Sequence, residues 1–156
     1  VNLAVALAQV GVKVLLMDAD LRRPQVSDFI RPSNAVAGVK QYLDGSEPDL
    51  SQCIQAQVLD NLSVMYAGGV AGDAQELLAS QAFEDLVSRC MRDYDVTIVD
   101  TPPANTCADA RRVSKVVGYS VIVAKRHVSF LNDLKALAGQ LREDRAHVLG
   151  TVMNEG

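Results

Sequence analysis

The chain has 156 residues, 49% hydrophobic and 22% charged, with a formal net charge of -4. That size suits one domain with a single core in a soluble globular protein, and the acidic balance argues against a broad nucleic-acid surface. With no Trp and 4% aromatic residues, stacking on bases is not its main activity, and no uninterrupted apolar run is long enough to span a bilayer.

Three cysteines, Cys53, Cys90 and Cys107, form no C-x-x-C pair and read as reduced structural thiols of a cytosolic protein. The segment Val1 to Met17 is no signal peptide, because it lacks a basic leader and runs straight into a strand. Its first residue is Val, so the chain is expected to begin at a boundary other than a natural translation start.

In chain order, the alanine-rich Val1 to Val10 predicts a helix packed on a sheet, stopped by Gly11. Val14-Leu15-Leu16-Met17 predicts a strand buried on both faces of a parallel sheet, running into Asp18 and Asp20. Pro24 fits a helix first turn with Val26, Phe29 and Ile30 on its apolar side, and Arg31 to Asn34 a loop. A short helix is expected over Val36 to Leu43, another over Leu50 to Leu59, and a strand over Leu62 to Tyr66 leading into Gly68-Gly69. Asp73 and Glu76 have capping-box spacing ahead of Leu77 and Leu78. Gln81 to Arg92 predicts a helix with Phe83, Leu86, Val87 and either Cys90 or Met91 facing inward. Tyr94 to Asp100 is a second strand ending in Asp, followed by a helix over Asn105 to Val116 and a strand over Ser120 to Ala124. The last elements are a helix over Leu131 to Arg142, with Leu134, Leu137, Ala138 and Leu141 on one side, and a strand over Val148 to Met153 ending at Asn154. This alternation predicts a doubly wound α/β fold, a mainly parallel sheet flanked by helices.

Chemistry concentrates at the two strands that end in carboxylates. Strand side chains alternate, so if the strand persists Asp18 and Asp20 share a face at the sheet edge where open α/β sheets bind ligands. Asp100 fits a Walker B ligand for magnesium, held directly or through water, because magnesium takes one or two carboxylates plus waters and phosphate oxygens. Asp18 suits orienting the metal's water or accepting a proton from an attacking hydroxyl, and Asp20 suits supporting the metal shell or holding Arg22. Arg22 and Arg23 suit contact with a phosphate or a neighbouring subunit. The alternatives are a cap for the Thr101-Pro102 segment at Asp100, and a surface turn with a local Asp–Arg pair at Asp18 and Asp20. His127 and His147 have no partner at motif spacing and read as surface or strand-end packing.

Leu15-Leu16-Met17-Asp18-Ala19-Asp20-Leu21-Arg22-Arg23-Pro24 resembles the Walker A′ segment of bacterial tyrosine kinases of the capsular and exopolysaccharide type. Ile98-Val99-Asp100-Thr101-Pro102-Pro103 resembles their Walker B. Gln75-Glu76-Leu77-Leu78-Ala79-Ser80, Asp109-Ala110 and Leu149-Gly150-Thr151-Val152-Met153-Asn154 follow in the family's order, so the likeness covers essentially the whole chain. The Asp-Thr-Pro-Pro element is shared with deviant-Walker ATPases of the Min and Par type, whereas Asp18-Ala19-Asp20-Leu21-Arg22-Arg23-Pro24 favours the kinases.

The resemblance implies an ATP- and magnesium-dependent tyrosine autokinase that acts on a neighbouring copy of itself. It also implies work with a membrane-embedded chain-length regulator of polysaccharide export, at the inner face of the membrane. In that frame Asp18 is base and metal organiser, with Asp20 and Arg22 assisting, Asp100 serves magnesium, and Asn154 reads the adenine edge unless it merely caps its strand. The 156 residues contain no G-x-x-x-x-G-K-[ST] phosphate loop; it is expected just before Val1, together with a central strand. Tyr42, Tyr66, Tyr94 and Tyr119 are scattered rather than clustered and read as packing residues. Two other classes stay open, a Min- or Par-like ATPase switch and a non-catalytic scaffold.

Overall fold

A computed structural model describes residues 1–34, 37–104 and 107–154. The chain forms two compact units, Val1–Pro102 and Pro103–Gly156. The first contains α1 (Asn2–Gln9), β1 (Val14–Asp18), α2 (Val26–Phe29), α3 (Val39–Leu43), α4 (Leu50–Cys53), β2 (Gln55–Leu59), β3 (Leu62–Met65), α5 (Ala74–Leu77), α6 (Gln81–Asp93) and β4 (Val96–Asp100). The second contains α7 (Asp109–Val117), β5 (Tyr119–Lys125), α8 (Leu131–Glu143) and β6 (His147–Asn154).

The first unit is built on a four-stranded sheet in the order β2-β3-β1-β4. β1 pairs in parallel with β3 and β4, and β2 pairs antiparallel with β3. Val14, Leu15, Leu16 and Met17 are all 0% exposed, so β1 is covered on both faces, as its unbroken apolar run requires. Each such side chain contributes about 1.5–3 kcal/mol on burial. On one face Ala4 and Ala8 of α1 pack with Val14, Leu16, Val26, Leu62, Val64 and Tyr66. Alanines at that contact let the helix approach the sheet closely.

α6 starts at Ser80, whose hydroxyl accepts from the Phe83 N–H. It buries Phe83, Leu86, Val87 and Cys90 and leaves Met91 exposed, so the inward residue of that pair is Cys90. In the second unit β5 and β6 are parallel. Leu134, Leu137 and Ala138 pack with buried Leu141 around Ile122 and Ala146, the stripe expected for α8.

Several local expectations are corrected. Leu50 to Leu59 is not one helix, because it breaks at Ile54 into α4 and the edge strand β2. Asp60 and Asn61 close a hairpin there, with Asn61 at φ 61°, and ladder bonds to β3 outweigh continuation of a helix. Pro24 precedes α2, whose N-cap is Gln25, and Phe29 is 72% exposed; a single turn leaves only Val26 buried. Asp73 caps α5 without a side-chain bond, so the capping box does not form. α3 begins at Val39 and α7 at Asp109; their expected starts, Val36 and Asn105, lie outside the described residues. No helix among the described residues is long and apolar enough to cross a membrane.

Candidate functional site at the carboxyl ends of β1 and β4

Parallel register places Asp18, the last residue of β1, beside Asp100, the last of β4. The Ala19 N–H donates to the Asp100 carbonyl at 2.9 Å, tying the two strand ends together. Strand geometry does not persist past Asp18. One Asp18 carboxylate oxygen accepts from the Asp20 N–H at 3.1 Å and the other from the Val26 N–H at 3.1 Å. Asp20 in turn accepts from the N–H groups of Arg22 (3.1 Å) and Arg23 (2.9 Å). These local Asp-to-backbone bonds stabilise a turn in place of a strand. Leu21, 0% exposed, pins the turn from below, and its carbonyl accepts from the Ala71 N–H at 2.8 Å.

Asp18 is 1% and Asp20 8% exposed, so neither lies on a surface turn. Burial pushes the Asp18 carboxyl up to about 6, against the bonds from Val26 and Asp20, and the charges of Asp100 and Asp20 push the same way. Asp100 is raised chiefly by burial, and the charge of Asp20 pushes the same way. Three carboxylates therefore crowd one sheet edge. The Arg22 and Arg23 side chains are exposed. Asn154 is the last residue of β6, in the second unit, in register with Lys125.

A cleft of about 270 Å³ opens beside Asp18, lined also by Pro24, Ser27, Asn34, Tyr66 and Gly68. Its wall is assembled by α3. The Gln41 side chain accepts from the Gly38 N–H at 2.9 Å and donates to the Gly68 carbonyl at 2.8 Å. The Val39 and Lys40 N–H groups donate to the carbonyls of Tyr66 (2.8 Å) and Ala67 (3.0 Å). A Cβ at Gly38 would strike the Tyr66 carbonyl, and Gly68 holds φ +78°. Sequence reasoning noted the glycine pair but missed Gln41, whose position three residues after Gly38 was the available signal. Ser27 and Asn34 carried none.

Burial pushes the Cys53 and Cys90 thiols up to about 11, which leaves them protonated and unreactive at neutral pH.

Among the described residues no three His, Cys, Asp or Glu side chains converge as a ready metal cage. Magnesium needs no such cage when nucleotide oxygens complete its shell. A buried and a half-buried carboxylate side by side, each made harder to ionise by its surroundings, are the donor set that a divalent cation would relieve. The residues at this edge therefore fit the ion.

Fold and site together define an α/β domain of the phosphate-handling ATPase class, and a family model described as an AAA domain matches residues 1–134. The chain belongs to the family of bacterial tyrosine-protein kinases. It is 32% identical over 155 residues to the putative tyrosine-protein kinase CapB of Staphylococcus aureus, covering 99% of this chain and 67% of that protein. The kinase domain of the Escherichia coli tyrosine kinase ETK superposes with a TM-score of 0.90 at 31% identity, over 98% of this chain and 59% of that one. The cell division ATPase MinD of Pyrococcus furiosus shares the fold, with a TM-score of 0.81 at 23% identity over 98% of this chain and 63% of that one. Among curated relatives that it matches, the chain spans as little as 21% and as much as 68% of their length. Fold class and family thus agree with the expectations drawn from the strand-end motifs.

Proposed function

We propose that this chain is most of the catalytic domain, a single ATPase/kinase-like domain over 1–156, of an ATP-dependent tyrosine autokinase that regulates capsule or exopolysaccharide chain length and export. The observation that carries it is the Asp18–Asp100 pair, a buried and a half-buried carboxylate, charge-crowded and in parallel register at one sheet edge. Family membership supports the reading, because such kinases use ATP.

In this reading Asp18 accepts the proton of the attacking phenol. Before any ion binds, burial holds its carboxyl above the ordinary carboxylate range, which makes it a stronger base than a free carboxylate. Asp20 acts by holding the turn through the Arg22 and Arg23 N–H groups, so it positions Asp18 and aims the Arg22 guanidinium towards phosphate. Asp100, with Asp18, is the ligand pair for magnesium, which when bound would neutralise charge on the transferring phosphoryl group. Asn154 is proposed to read the adenine edge. The partners implied are a second copy of the chain, as phosphate acceptor, and a membrane-embedded chain-length regulator, fused or separate, that holds the domain at the inner face of the membrane.

The test is ATP-dependent phosphotyrosine formation by the intact protein and by its Asp18→Asn and Asp100→Asn variants. Each change is expected to lower the rate by about a hundredfold or more; full activity in both variants would sink the assigned roles. The MinD-like fold supports one other reading, an ATPase switch. That reading predicts phosphate release with no phosphotyrosine.

A further inference from the structure

The four tyrosines differ sharply in surroundings. Tyr66 is 6% exposed, within the core against α1. The Tyr94 ring lies under the Lys13 ammonium at 5.1 Å, and Tyr119 stacks on His147 with ring centroids 5.5 Å apart. At Tyr42, on α3, the contact is of another kind: the Arg89 guanidinium, projecting from α6, donates to the phenolic oxygen at 3.0 Å, in contact with solvent. A phosphate added to this phenol extends into the space the Arg89 nitrogen occupies, so an exposed arginine fork that draws back by a bond length or two becomes its receiver.

We propose that Tyr42 is a phosphorylation site of this protein and that Arg89 is the receiver of its phosphate, fastening α3 to α6. The inference rests on the tyrosine-kinase reading above. In the step, the Tyr42 phenolic oxygen bonds to the γ-phosphorus of ATP and the bond from that phosphorus to the β–γ bridging oxygen breaks. ADP leaves, and the phenolic proton passes to the carboxylate acting as base. The product carries close to two negative charges and three acceptor oxygens, where the phenol offered a single neutral acceptor.

Asp49 lies within electrostatic reach of Arg89 and is the competing anion. A guanidinium has five N–H donors, and a dianion with three oxygens holds them better than one exposed carboxylate. The consequence reaches the cleft, because the residue preceding Tyr42 is Gln41, which bridges Gly38 and Gly68. Fixing α3 on α6 fixes the wall beside Asp18.

The experiment incubates the intact protein with magnesium-ATP and maps phosphotyrosine by peptide mass spectrometry. The same protein with phosphotyrosine encoded at position 42 is then titrated by phosphorus NMR, with and without the Arg89→Gln change. The expected results are phosphate on Tyr42, one phosphate fewer in Tyr42→Phe, and a last phosphate pKa lower by about half a unit with Arg89 present than in the Arg89→Gln variant. Phosphate on other tyrosines but not Tyr42 overturns the site and leaves the kinase reading intact. Equal pKa values with and without the Arg89→Gln change overturn the receiver. No phosphotyrosine on any residue overturns the kinase reading and, with it, self-modification at Tyr42.

Discussion

At the scale of residues, Asp18 joins two demands that oppose each other: burial for fold stability, and a negative charge for proton transfer. Its folded value of about 6 lies above the ordinary 3.8. Between those values the folded protein keeps a proton that the unfolded chain has released, so stability falls as pH rises from about 4 to 6. At pH 7 the ionised group costs the metal-free fold on the order of 3 kcal/mol. Asn in its place removes the charge and forfeits the bond from the Val26 N–H, worth about 1–2 kcal/mol. Asp18→Asn is therefore expected to raise the melting temperature at pH 7 by several degrees, and to lower or leave it unchanged below pH 4. Calorimetric melts at the two pH values decide it, and equal destabilisation at both would contradict the burial account. Loss of phosphorylation with gain in stability is the signature expected of a functional carboxylate.

At the scale of elements, the cleft wall depends on contacts between α3 and the segment after β3. Gly68→Ala places a Cβ on the Gln41 amide and forces an L residue into φ +78°, with an expected loss of about 1–3 kcal/mol. Gln41→Ala removes two bonds at once and is expected to cost about 1–3 kcal/mol. Urea midpoints of the two variants test this, and wild-type midpoints in both would show that the wall does not need α3. Beyond the Gly68-Gly69 pair and the Gly38–Gln41 spacing, this wall was not legible in the sequence, because Gln41 meets Gly68 27 positions further on. What was legible followed from local pattern. β1 and β4 announced themselves by apolar runs ending in Asp, and α6 by Phe83, Leu86, Val87 and Cys90 at helical spacing. Leu50 to Leu59 misled because ten mixed residues satisfy either period, and the hairpin at Asp60-Asn61 lacks the glycine that usually marks one. Asp18 and Asp100 were found because they terminate strands, and Asp20 because it follows Asp18 by two residues. The turn that seats Asp20 was not, since it depends on where its backbone donors end up.

At the scale of the whole molecule, the 156 residues supply carboxylates for a cation but no G-x-x-x-x-G-K-[ST] segment to cradle phosphates. Titration calorimetry of this chain with magnesium-ATP is expected to show weak binding or none, and micromolar affinity would contradict it. Strand order carries a separate consequence. In the four-stranded sheet β1 is held in parallel register by β3 on one side and β4 on the other, whereas β2 meets β3 through a shifted register. Amide hydrogens of β1 should thus be among the last to exchange with deuterated solvent, and those of β2 should follow a faster clock. Asp18 rides on the slow strand, so the turn it ties down through the Asp20 and Val26 N–H groups hangs from the part of the sheet that opens least often.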